Sequence, residues 1–109
     1  MSEDPIRQLT LLVLFQAQQD HATELKVSPA SIGRPLISYK VKGTWHEMSP
    51  PPAHIMPGVI AELERLASLS NRPFPREGLI DMPYSGVRLR WVIRMTSAQA
   101  DCILTPIEQ

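Results

Sequence analysis

Apolar residues recur every three to four positions near the start of the chain. Ile6, Leu9, Leu12, Val13 and Ala17 share one stripe and predict a helix. Asp4-Pro5 supplies its opening, an acid at the N-cap followed by a proline at the first helical position. Leu11, Leu14 and Phe15 fall off that stripe, so the middle of the helix is apolar nearly all round and must be covered on more than one side. Gln16, Gln18, Gln19 and Asp20 close it.

The period then changes from 3.6 to 2. Between Ala22 and Ser28, Thr23, Leu25 and Val27 alternate with Glu24, Lys26 and Ser28. Between Leu36 and Lys42, Ile37, Tyr39 and Val41 point inward while Ser38, Lys40 and Lys42 point outward. Ser31 to Pro35 reads as a turn between these two half-buried strands. Gly43-Thr44 reads as a tight turn of open type into a short strand, Trp45 to Met48.

Ser49-Pro50-Pro51-Pro52 predicts a stiff extended connector. A second helix is expected over 53–70, with Ile55, Val59, Ile60, Leu63, Leu66 and Ala67 in phase and Pro57 in the first turn, where its missing N–H matters little. Val59, Leu63 and Leu66 should face the sheet near Leu89 and Trp91. Three strands follow: Leu79 to Met82, Val87 to Met95 and Ala100 to Ile107. They are separated by Pro83-Tyr84-Ser85-Gly86 and by Ser97-Ala98-Gln99. The expected fold is α+β, one domain over 1–109. It has an antiparallel sheet of five to six strands and two main helices on one of its faces. No internal repeat of roughly 20–50 residues is evident.

Composition narrows the function. The 109 residues carry 11 basic and 11 acidic side chains, so no global field favours nucleic acid or an anionic membrane. Cys102 is the only cysteine, which excludes an internal disulfide. The opening Met1-Ser2-Glu3-Asp4-Pro5 is acidic, unlike a signal peptide, and the apolar run from Leu9 to Phe15 is far below the ~20 residues that span a bilayer. A cytoplasmic location is expected. His21, His46 and His54 have no partner at metal-ligand spacing, and Gly33, Gly43, Gly58, Gly78 and Gly86 make no phosphate loop. No enzyme, cofactor or metal is expected.

Two constellations remain. Arg88, Arg90 and Arg94 lie on one face by period 2, with Lys26, Lys40 and Lys42 as candidates for the same face. They could form an anion or partner surface, or a solvated face of cross-strand ion pairs. With no aromatic residue expected among them, stacking of nucleic-acid bases lacks support. Leu11, Leu14 and Phe15 are candidates for self-association as a homodimer, because one sheet face cannot cover every side of the first helix.

The order of segments resembles the domain that precedes the motor domain in type II secretion and type IV pilus ATPases. Ala22-Thr23-Glu24-Leu25-Lys26-Val27-Ser28-Pro29 after a helix is similar to that family's Ala-Ser-Asp-Ile-His-Ile-Glu-Pro. Tyr39-Lys40-Val41-Lys42-Gly43 resembles its Arg-x-Arg-x-Asp-Gly strand end. Pro50-Pro51-Pro52 leads a helix as in the family, and Pro75-Arg76-Glu77-Gly78-Leu79-Ile80 resembles Pro-Gln-Asp-Gly-Arg-Ile. Val87 to Val92 is similar to its Asp-Leu-Arg-Val-Ser strand. The resemblance implies a PAS-like fold and a stand-alone relative of a regulatory and assembly domain, since the motor's phosphate loop and tetracysteine motif do not occur in the sequence. The family lends arginines toward a nucleotide. Here Ser38, Lys40 and Leu79 occupy such positions, Lys42 replaces an acid, and Arg90 alone matches. Tight ATP binding and hydrolysis are therefore not expected. The implied function is a non-catalytic interaction or regulatory module with a protein partner, in secretion or motility machinery. The alternative is a small anion- or nucleotide-binding regulator, which needs the arginines to converge in a concavity.

Overall fold

The computed structural model describes residues 4–28, 36–48, 55–97 and 100–107. The turn expected at Ser31 to Pro35, the proline connector, the helix start at Ala53 and the turn residues Ala98 and Gln99 lie outside them. Within them the chain is two helices and a six-stranded antiparallel sheet. The order is α1 (Pro5–Gln19), β1 (Glu24–Ser28), β2 (Leu36–Val41), β3 (Thr44–Glu47), α2 (Met56–Leu66), β4 (Arg76–Tyr84), β5 (Val87–Met95) and β6 (Cys102–Pro106). Each half is a helix followed by a three-stranded meander. The sheet order β3-β2-β1-β6-β5-β4 joins the meanders through β1 and β6.

Asp4 caps α1 as its sequence predicts, its Oδ1 accepting from the Ile6 N–H at 2.9 Å. The phase of the helix differs from expectation. Leu14 is 0% exposed and Leu11 is buried, whereas Leu12, expected inward, is 51% exposed. Phe15 is half-buried, its ring edge-on to Tyr84 at 5.5 Å. The cause is Thr10. Its hydroxyl donates to the Ile6 carbonyl at 2.8 Å, so it enters the core with its polar group satisfied. Thr10, Val13, Leu14 and Ala17 then make the i, i+3, i+4, i+7 stripe that the sequence reading broke by counting threonine as polar. Leu11 and Leu14 belong to the fold's own core and are unavailable for pairing two copies.

α2 has the expected phase, with Met56, Val59 and Leu63 buried, Leu66 half-buried and Pro57 in the first turn. It crosses α1 closely at Gly58, where a Cβ would stand 2.6 Å from Ile6 Cδ1. Both helices end in the same device. His21 (φ 58°) follows α1, with the Ala22 N–H donating to Ala17 O at 2.9 Å. Ser68 (φ 57°) follows α2, with the Leu69 N–H donating to Glu64 O at 2.7 Å. These are Schellman caps built on left-handed residues that are not glycine.

The two hairpins turn on Lys42-Gly43 (φ 50°, 79°) and Ser85-Gly86 (φ 49°, 83°), both in the positive-φ geometry of type I′ turns. The second is tighter than expected, since Pro83 and Tyr84 continue β4. On the covered face the register aligns Ile37, Val27, Cys102 and Met95 in one row and Tyr39, Leu25, Leu104 and Ile93 in the next. Trp91 and Leu89 are fully buried in the same core as Val59 and Leu63.

Arg76 ends the first row, opposite Met95. Its side chain is 5% exposed and ion-paired with Glu64 of α2. It donates to Leu69 O at 2.9 Å and Arg72 O at 3.0 Å, and its guanidinium lies 4.2 Å from the Phe74 ring centroid. A buried cation persists only when so partnered. Arg76 thereby fixes the α2–β4 loop against the sheet.

Two outcomes test this packing. Leu63→Ala should lower stability by roughly 2–5 kcal/mol in denaturant unfolding, and a loss under about 0.5 kcal/mol would place the residue outside the core. Ser68→Gly should raise stability by about 1 kcal/mol, because glycine adopts the left-handed cap without a Cβ penalty. A lowered unfolding midpoint would contradict that cap geometry.

Candidate functional site

Among the described residues no helix covers the second face of the sheet. Arg88, Arg90 and Arg94 lie on it as period 2 predicts, and the register adds Lys26 and Lys40. Lys42 sits in the β2–β3 turn instead. β4 supplies counter-charges. Asp81 Oδ1 accepts from Arg88 Nε at 2.5 Å, Asp81 Oδ2 lies 3.6 Å from Arg90 Nε, and Glu77 Oε2 accepts from Arg94 Nε at 2.5 Å. These are the cross-strand ion pairs of a solvated face.

An aromatic does interleave with the cations, contrary to expectation. Trp45 pairs with Lys40 across the β2–β3 hairpin and is 40% exposed. Lys26 Nζ stands 4.7 Å and Lys40 Nζ 5.9 Å from its ring centroid. A two-residue turn at Lys42-Gly43 requires this pairing, so turn length was the signal that would have found it. Ser38 was expected to be exposed, yet it is buried in the row between Lys26 and Glu47, whose longer side chains flank it. Leu79 is 45% exposed, and Val92 beside it and Ile103 are half-buried. The open face thus has an apolar strip bordered by charge.

The three arginines do not act as one group. β6 ends at Pro106 opposite Trp91, while β5 reaches back to Val87, so residues 88–90 lack a neighbouring strand on that side. The Ile107 N–H donates to Arg90 O at 3.0 Å. Gln18 supplies the remaining rungs from α1. Its Nε2 donates to Arg88 O at 2.8 Å and its Oε1 accepts from Arg90 N–H at 3.5 Å. Beyond these rungs lies a notch of about 300 Å³ between β1 and β5, lined by His21, Thr23, Arg88 and Arg90 among others, with no carboxylate among the described residues of its lining. Arg94 lies apart, beside Arg76 and Glu77.

A second concavity of about 280 Å³ is formed by Asp20, Tyr39, Val41 and His46. Asp20 Oδ2 accepts from Gln16 Nε2 at 3.1 Å and from Tyr39 Oη at 2.8 Å. These bonds hold the Asp20 carboxyl below its ordinary range, and the carboxylate in turn pushes the Tyr39 phenol up. A carboxylate so stabilised is a weak base. Among the described residues no group of three or more His, Cys, Asp or Glu could hold a metal ion, and no helix is long and apolar enough to cross a membrane.

Neither a family model nor a curated protein matches this chain.

Cys102 is buried under the helices, and burial, followed by the Asp101 charge, pushes its thiol up to about 11. It is a core residue and a poor nucleophile. A disulfide reagent at neutral pH should leave it unlabelled in the native protein and label it promptly in denaturant. Equal rates in both would show that the thiol is accessible.

Proposed function

We propose that this chain is a non-catalytic module that binds a protein partner across the open face of its sheet. One observation carries the proposal: among the described residues helices cover a single face, and the other presents an apolar strip, Leu79, Val92 and Ile103, flanked by Glu77, Asp81, Arg94 and Lys26, with Trp45 and Lys40 toward the opposite edge of the sheet. Exposed apolar side chains interspersed with charge suit a protein contact, and tryptophan is prominent among residues that dominate such contacts. A cytoplasmic setting agrees with a single, buried thiol. The succession of helix, meander, helix and meander supports kinship with the domain that precedes the motor of secretion and pilus ATPases. On the same likeness the partner we propose belongs to that kind of machinery. A small-anion-binding regulator is the alternative, favoured by Arg88 and Arg90 lining one notch that no carboxylate of the described residues lines.

The test is quantitative capture from source-cell extract with wild type and a folded Trp45→Ser/Leu79→Lys variant. A stoichiometric partner should be held by wild type and lose about thirtyfold in affinity to the variant, as for a hot-spot residue. A partner indifferent to both substitutions would place the interface elsewhere.

A further inference from the structure

We infer that the notch beyond the end of β6 is a binding site for a small oxyanion of the phosphate class, gripped by Arg88 and Arg90. The assignment rests on the small-anion function and is independent of partner binding by the open face.

The charge arrangement is the first ground. The chain as a whole is neutral, yet among the described residues the formally charged side chains lining the notch are the two arginines, with the His21 imidazole beside them. Asp81 is not in the lining. It meets both arginines through their Nε atoms, at 2.5 and 3.6 Å. One carboxylate thus braces two guanidinium groups side by side and leaves a net positive charge. Among the described residues no hydrogen bond engages the terminal Nη atoms of Arg88 and Arg90, whereas the Arg90 Nε is buried toward Asp81. Donors in this state are placed to engage an incoming acceptor.

The surrounding backbone is the second ground. The end of α1 lies at the notch, and bare helix carbonyls there would repel an anion. Three of them are occupied: Gln16 O and Gln18 O accept from Asp20 and His21, and Ala17 O accepts from Ala22. Gln18 likewise engages Arg88 O. These engaged carbonyls oppose an anion less than free ones would.

The ligand class follows from the number of donors. Two forked guanidinium groups offer more N–H edges than the two oxygens of a carboxylate can accept, and Asp81 already serves in that capacity from outside the notch. A tetrahedral oxyanion can meet both forks at once and carries charge enough to match them.

Isotope-labelled protein titrated with sodium phosphate at constant ionic strength should show saturable amide shifts confined to residues 20–23, 88–90 and 107, with a millimolar dissociation constant. Arg88→Gln, at an exposed side chain that the fold does not require, should weaken binding by about tenfold. Arg90→Lys should weaken it similarly, since an ammonium keeps the charge and loses the fork. Scattered, non-saturating shifts, or identical titrations in both variants, would overturn the site. Sodium acetate should bind more weakly at the same residues. If acetate saturates the notch and phosphate does not, the phosphate class is wrong and a small-anion function survives. If neither binds, both fail.

Discussion

The pairing of β1 with β6 is the constraint on which the rest of this molecule depends. Leu25, Lys26 and Val27 align with Leu104, Ile103 and Cys102, and this short seam converts two separate meanders into one sheet. On the covered side it places Val27 and Cys102 in one row and Leu25 and Leu104 in another, so that the core spans both halves. On the open side it sets Lys26 against Ile103, joining the lysine–tryptophan corner to the arginine-bearing strand. The seam is also short, and the notch exists because β6 stops before β5 does. Neither three-stranded half could hide its apolar face as well without the other. The pairing closes the chain over most of its length, a non-local contact that slows folding.

Charges are handled differently on the two faces. Where Arg76 is drawn under α2, it is surrounded by Glu64, two carbonyls and an aromatic ring. Where Arg88, Arg90 and Arg94 face outward, single carboxylates suffice and water does the remaining work. Two neighbouring residues of β4, Arg76 and Glu77, therefore do unrelated jobs by virtue of the pleat: one anchors the core and the other trims the surface charge.

Much of this fold was readable from the sequence, and the exceptions have physical causes. Strands with alternating patterns, such as Val87–Met95, were placed well because one face is dry and the other wet. α2 was phased correctly because its apolar residues occupy a single stripe. α1 was not, because apolar residues on several faces leave rotation to packing, and a self-satisfied Thr10 supplied the deciding contact. The helix ends carried no glycine, so His21 and Ser68 gave no hint of left-handed caps. The candidate arginines were correctly put on one face. Their division between a notch and an open surface was hidden, since it depends on where a different strand ends. Trp45 escaped notice because its place among the lysines follows from hairpin register, not from spacing along its own strand.

Gln18 gives the sheet a property that its other rungs lack. A rung between main chains survives nearly any substitution, since every residue but proline brings the same amide and carbonyl. The rungs at Arg88 and Arg90 are instead written in one carboxamide, which presents a donor and an acceptor in the spacing of a peptide group. Changing that single side chain edits hydrogen bonding within the sheet without altering any strand. The length of the β5 ladder is thus heritable as a point character, open to adjustment by one codon.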